Sequence, residues 1–328
     1  MEIRDIKNFI FKKEKLLDIC IYIINLPVIG HIYDYFYIKR IKNKIKNQKL
    51  SLTIEPNNIC NLHCIMCPYQ RMTRKKETMP LSLYKEIVNQ AKEEGCESIS
   101  LNQYNEPLTD KFLFERIRYA NSKGMITSFY SNGTLLSDEN INRLLKNPPD
   151  LIRFSFDGFN KNTYESIRCG ANYERVIGGI IKLYEEKKKL NLKKPRIEVY
   201  FTILKENKSE IKEFLKFWKN KVDFATIYIG DSRQNTAFSL LEYKHKKFYP
   251  CFNPKKIIVF SNGKLALCCV DIDGFVNLGD LKKQKLKDIL ESKKFKDITN
   301  AHLNRDPYLS ACKSCSRGYI DSALSWWV

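Results

Sequence analysis

Residues 50–68 read LSLTIEPNNICNLHCIMCP, a short strand-like run that breaks at Pro56 and leads into three cysteines within eight positions. Leu50 to Glu55 is the first strand candidate, and the cysteines follow in the loop after it. Cys60, Cys64 and Cys67 are spaced C-x3-C-x2-C, with Pro68 immediately beyond. Thiolates suit soft metals, and three of them leave one iron of a cubane cluster without a protein ligand. Zinc is the competitor. Its sites more often pair C-x2-C units with a fourth protein ligand, and His63, next to Cys64 in the chain, is poorly placed to serve beside it. The spacing favours an iron-sulfur cluster with one open corner.

Outward from this loop, strand-like and helix-like runs alternate. Pro80 to Glu94 predicts a helix, opened by a proline suited to the first turn and ended by Gly95. Strands follow at Ser98 to Asn102, Met125 to Tyr130, Leu151 to Phe156, Arg196 to Leu204 and Phe224 to Ile229. Helices lie between them at Leu108 to Lys123, Asp138 to Lys146, Asn160 to Leu190 with an interruption near Gly170, and Lys208 to Lys219. Six strand-then-helix units in succession predict an α/β fold with a parallel sheet and helices on its outer face, since parallel neighbours need crossover connections. Such a sheet carries its chemistry at the carboxyl ends of its strands. The distinctive polar clusters all fall there: the cysteine loop, Asn105-Glu106, Ser131-Asn132-Gly133 and Asp157-Gly158.

After about residue 235 the pattern changes. Asn262-Gly263 is a strong hairpin signal between candidate strands Lys256 to Phe260 and Leu265 to Cys268, and a lysine-rich helix is predicted from Leu281 to Lys296. Cys251, Cys268, Cys312 and Cys315 form a second four-thiolate set, which would complete a cubane and leave no open iron; a structural zinc satisfies the same spacing. The chain thus divides into a basic amphiphilic extension (1–49), a strand-helix domain (50–235) and a small cysteine-rich α+β module with its tail (236–328), which ends in Trp326-Trp327-Val328.

C60-N-L-H-C64-I-M-C67 resembles the signature loop of the radical S-adenosylmethionine (SAM) superfamily, over roughly residues 50–230. The resemblance implies a partial (βα)6 TIM-like barrel, which agrees with the count of six units. It implies a [4Fe-4S] cluster on Cys60, Cys64 and Cys67, whose open iron chelates the amino and carboxylate groups of SAM. It also implies cofactor contacts: Met66 before the third cysteine, Asn105-Glu106-Pro107 in place of a Gly-Glu-Pro motif near the methionine amino group, and Ser131-Asn132 at the ribose. Ser155 and Asp157 are implied at the end of the fourth strand, with Arg168 as a candidate carboxylate contact. Residues 248–317 resemble the auxiliary-cluster extension known as the SPASM domain, in its shortened single-cluster form. That implies an auxiliary [4Fe-4S] cluster on Cys251, Cys268, Cys312 and Cys315.

The activity so implied is that of an oxidoreductase. An electron from ferredoxin or flavodoxin cleaves SAM reductively, and the 5'-deoxyadenosyl radical abstracts hydrogen from an organic substrate. Oxidation or epimerisation of a sugar or alcohol is the leading outcome, with Cys269 as a candidate hydrogen donor; maturation of a ribosomal peptide is the alternative. A non-catalytic electron relay or tether is a third reading.

Eleven cysteines, an odd count in a 328-residue chain, are not read as a disulfide framework. The opening Met1-Glu2-Ile3-Arg4-Asp5 shows no cleavable leader, so a cytoplasmic compartment is expected. The net charge of +20 comes mainly from lysines spread along the chain, and no specific nucleic-acid binding is expected from it. One run is concentrated: six basic residues from Lys39 to Lys49 with no acid, directly after the apolar stretch 19–38. Three readings stand for residues 19–49, a hairpin that caps the barrel, a peripheral membrane contact and a protein partner site; Pro27, Gly30 and Asp34 argue against a spanning segment.

Overall fold

The strand β4 (Leu151–Ser155) illustrates how the sequence builds the sheet. Ile152 and Phe154 are fully buried in the core shared with the helices, whereas Arg153 and Ser155 turn to the opposite face and stay partly accessible. The same alternation runs through β5 (Arg196–Ile203), where Ile197, Val199, Phe201 and Ile203 are buried in that core and Arg196, Tyr200 and Thr202 are not. In the computed structural model, residues 26, 32, 35–40, 42, 43, 47, 49–229 and 256–304 are described.

β1 (Ser51–Ile54), β2 (Ser98–Ser100), β3 (Ile126–Ser131), β4, β5 and β6 (Phe224–Ile229) pair in sequence order, all parallel. The helices between them are α1 (Leu81–Glu93), α2 (Leu113–Ser122), α3 (Asp138–Lys146), α4 (Lys161–Ile167), α5 (Tyr173–Lys189) and α6 (Ile211–Trp218). In α3, Ser137 caps the first turn by accepting from Asn140 N, and Ile141, Leu144 and Leu145 form the buried stripe. Each of these side chains contributes about 1.5–3 kcal/mol by burial. The parallel sheet and its helices are what the alternation predicts, and together they form the partial (βα)6 barrel that the family resemblance implies.

The cysteine-rich module is continuous with the barrel sheet. β7 (Lys256–Val259) pairs parallel with β1, setting Thr53 beside Ile258, and β8 (Lys264–Ala266) and β9 (Asn277–Asp280) continue antiparallel. The sheet order is β6-β5-β4-β3-β2-β1-β7-β8-β9. The predicted hairpin is present, and Gly263 takes φ +84° in its turn, a conformation that disfavours any residue with a Cβ. Leu278, Leu286 and Ile289 join the same hydrophobic core as the barrel. The predicted helix from Leu281 to Lys296 is instead two, α7 (Leu286–Glu291) and α8 (Lys293–Leu303), because Ser292 adopts an extended conformation and caps the second by accepting from Phe295 N. The predicted 235/236 boundary lies outside the described residues.

Residues 35–40 are helical. Tyr37 is 2% exposed and packs into the barrel core, while Tyr35 and Phe36 are 64% and 62% exposed. Among the described residues no helix is long and apolar enough to cross a membrane.

Candidate functional site

The carboxyl ends of the strands converge on one cavity of about 390 Å³. Cys60, Cys64 and Cys67 line it, together with Met66, Asn105, Glu106, Ser131, Asn132, Ser155, Arg168 and Cys269. Residues taken from four separate strand-end loops and from the small module are thus brought together. Asp157 and Cys268 are the exceptions among the described candidates: neither lines the cavity, Asp157 being fully buried behind Arg168 and Cys268 half-buried in the small module.

The cysteine loop is held from several sides. Asn58, fully buried, donates through Nδ2 to the Lys75 carbonyl at 2.8 Å and accepts from Glu77 N at 2.6 Å, which fixes the entry to the loop. Tyr69 Oη accepts from Cys60 N at 3.0 Å. His63 N and Ile65 N donate to the carbonyls of Cys169 and Ile167, each at 3.0 Å, so the backbone is tied on both sides of Cys64. Burial pushes the Cys60 thiol up to about 11 and raises that of Cys64 as well, the latter opposed by the Arg168 guanidinium. Thiols so desolvated stay neutral on their own, and a metal centre is what would ionise them. Among the described residues no group of three His, Cys, Asp or Glu closes on a single ion. A cubane does not need that convergence, since its irons lie between the sulfurs, and the donor set fits one.

Glu106 is the organising carboxylate. It is 1% exposed; Oε1 accepts from Ser131 Oγ at 2.8 Å and Leu108 N at 3.1 Å, and Oε2 accepts from Asn132 N at 2.6 Å. Desolvation outweighs these donors and pushes its carboxyl up to about 7. The replacement of glycine by asparagine in the Asn105-Glu106-Pro107 motif is accommodated: Asn105 Oδ1 accepts from Gln103 N at 2.9 Å, bracing the loop. Asn132 Nδ2 donates to Asn61 Oδ1 at 2.9 Å, linking the third strand end to the cysteine loop.

The small module meets the barrel at Cys269, whose carbonyl accepts from Tyr104 Oη at 2.7 Å and Gln103 Nε2 at 3.1 Å. A buried ion pair lies behind this contact. Arg74 grips Glu55 in a two-pronged contact at 2.7 and 2.9 Å, donates through Nε to the Ile272 carbonyl at 2.7 Å and stacks on Phe260 at 3.8 Å. Asp273 in turn accepts from Thr73 N and Arg74 N. Cys268 is described and half-buried, whereas Cys251, Cys312 and Cys315 lie outside the described residues.

The cavity has a second wall that the motifs do not mark. Tyr130, Tyr200 and Tyr228 stand on β3, β5 and β6, with ring centroids 5.7 Å apart for the first pair and 5.6 Å for the second, joined by Thr53 and Thr202. Arg153 lies 5.1 Å over the Tyr130 ring and pairs with Glu198 at 2.9 Å. The sequence carries one signal for this wall: polar and aromatic residues at every second position of strands whose parallel pairing predicts continuous apolar runs.

Comparison with known proteins agrees with this arrangement. The profile of the Radical SAM superfamily matches residues 54–217, and that of the SPASM iron-sulfur cluster-binding domain matches 251–316. A tungsten-containing aldehyde ferredoxin oxidoreductase cofactor-modifying protein of Pyrococcus furiosus is 28% identical over 174 residues, 52% of this chain and 48% of the relative. The chain's matches span about half the length, or less, of the curated relatives. Among solved structures, Streptococcus suis SuiB bound to precursor peptide SuiA is similar in fold with a TM-score of 0.63 at 16% identity, over 84% of this chain and 73% of that one. BtrN in complex with AdoMet and 2-DOIA gives 0.55 at 17% identity, over 82% and 93%. With half its length matched by the superfamily profile and the auxiliary domain matched after it, the chain belongs to the radical SAM superfamily and carries a C-terminal SPASM domain.

Proposed function

We propose that the chain is a radical SAM oxidoreductase in which Cys60, Cys64 and Cys67 hold the SAM-binding [4Fe-4S] cluster and the SPASM domain holds a further cluster. The observation that carries this reading is that all three thiols open onto one cavity with Glu106, Ser131, Asn132 and Arg168. When bound, the cluster and SAM supply a carbon-centred radical able to take hydrogen from an unactivated carbon. The chain's own work is placement and exclusion of water. Glu106 offers a buried carboxylate to an ammonium group, Ser131 and Asn132 offer hydrogen bonds to a ribose, and the buried side chains of Leu62 and Leu204 give the cavity apolar lining. Cys269 lines the same cavity, within reach of a hydrogen-donor role. Reconstituting the protein anaerobically, reducing it and adding SAM is expected to release 5'-deoxyadenosine; none would contradict the reading.

For the substrate we favour a peptide. The likeness to SuiB in its peptide-bound form supports this, and the open, polar barrel face, with Thr53, Thr202 and the three tyrosines, suits a hydrogen-bonding chain. The sugar or alcohol reading is supported by the likeness to BtrN. Deuterium transfer into 5'-deoxyadenosine from a labelled peptide, and not from a labelled aminocyclitol, separates the two. Ferredoxin or flavodoxin serves as electron donor in this reading. The exposed Tyr35 and Phe36 beside Lys39 and Lys42 support a peripheral contact with anionic lipid by a cytoplasmic protein, read by co-sedimentation with phosphatidylglycerol vesicles.

A further inference from the structure

Arg168 stands directly opposite Cys64. The backbone bonds from His63 to Cys169 and from Ile65 to Ile167 lock the segments 63–65 and 167–169 together, so the register itself faces the two residues. Gly170, at φ +93°, lets the chain pass closely under Leu62, where an added Cβ would already stand 3.4 Å from the leucine side chain. Across this register Arg168 Nη1 donates to Cys64 Sγ at 3.5 Å, and Nη2 pairs with Asp157 Oδ2. The pair is deeply buried, with the Arg168 side chain 13% exposed and that of Asp157 not at all, and Arg168 Nε has no hydrogen-bond partner among the described residues.

Asp157 is fixed in turn. Its Oδ1 accepts from Thr202 N at 2.5 Å, and Asn207 Nδ2 donates to the carbonyls of Asp157 at 3.0 Å and Thr202 at 2.9 Å. A cation is therefore held against one cysteine sulfur by a chain of contacts that reaches β5. An arginine cannot lose its proton here, so its charge is permanent.

Resting on the reading of Cys64 as a cluster ligand, we propose that Arg168 and Asp157 form a tuning pair for the cysteine-loop cluster, with Arg168 the positioning residue that raises its reduction potential through the Cys64 sulfur. Hydrogen bonds and positive charge at a cluster sulfur stabilise the more negative, reduced state. Asp157 moderates the effect by partly neutralising the cation. The two residues consequently act with opposite sign, which a purely structural pair would not do.

The test is a redox titration of the reconstituted full chain, followed by electron paramagnetic resonance on the signal that changes when SAM is added. Arg168→Gln is expected to shift that potential to more negative values, and Asp157→Asn to less negative values. Arg168→Gln combined with Asp157→Asn leaves no lone buried charge, so it guards against misfolding; it is expected slightly below the unaltered protein. Equal potentials in all four proteins, or shifts of the same sign in both single variants, would overturn the proposal. A signal indifferent to SAM in the unaltered protein would overturn the cluster reading instead.

Discussion

The two cysteine-bearing regions are built on opposite plans. The first set occupies eight consecutive residues, 60–67, and its loop is held by short-range and cross-barrel hydrogen bonds from Tyr69, Asn58, Ile167 and Cys169. The second set draws on residues from 251 to 315; its one described member, Cys268, precedes Cys269 in a segment attached through β7, the Arg74–Glu55 pair and two side chains of the loop after β2. The first set belongs to one loop; the described part of the second region is seated on the barrel by contacts distant in the chain. The same Arg74 belongs to the segment that follows the first loop and grips the turn of the second region, so the seating is shared.

Removal of the first set is the largest intervention. Replacing Cys60, Cys64 and Cys67 by alanine is expected to abolish 5'-deoxyadenosine formation and to lower iron from about eight to about four atoms per chain, two clusters becoming one. Iron analysis that stays near the starting value would erase the distinction between the regions.

Glu55→Gln comes next. It leaves Arg74 buried without its counter-charge, with side-chain exposures of 8% and 0% for the pair, and is expected to cost about 3–5 kcal/mol in urea unfolding. Auxiliary-cluster iron should fall with it, because Ser261 also donates to Glu55 and the β7–β8 turn loses its anchor. A loss confined to the first cluster would break the account of shared seating.

Glu106 sharpens the comparison through pH. Its carboxyl is pushed from 4.5 up to about 7 in the folded protein, so the stability linked to its neutral form is complete below 4.5 and is lost as pH rises through about 7. Glu106→Gln is expected to flatten the stability profile of the cofactor-free protein across that window, measured by thermal melts at several pH values. An unchanged slope would show that the strand-end network does not depend on this carboxyl.

The smallest effect is at the contact with Cys269. Tyr104→Phe removes one hydrogen bond to its carbonyl and is expected to cost about 1 kcal/mol, read as a shift in urea midpoint at constant slope. A larger loss would mean that this single contact, rather than β7 and Arg74, seats the module.

Most of the barrel was legible in the chain because each strand-helix unit is punctuated locally. Asp138–Lys146 and Phe224–Ile229 lie where their capping and apolar pattern put them, and the break near Gly170 divides α4 from α5. β9 escaped because Asn277–Asp280 has one apolar residue and owes its strand to pairing with β8. The split at Ser292 escaped because lysine-rich helix propensity on both sides masks a serine cap. In the candidate site, the motif residues that line the cavity are marked in the sequence, whereas Tyr130, Tyr200 and Tyr228 are marked only by their alternation and Arg74 not at all. Their roles come from neighbours distant in the chain: rings meet across β3, β5 and β6, and Arg74 meets Glu55 only after the loop folds back.

The most direct test is paramagnetic resonance of the reduced, oxygen-protected protein before and after addition of SAM. The signal of one cluster is expected to change on addition, and that change should vanish when Cys60, Cys64 and Cys67 are replaced. A spectrum that SAM leaves untouched, or zinc in place of iron in the cysteine loop, would contradict the assignment of an open metal corner to those three thiols.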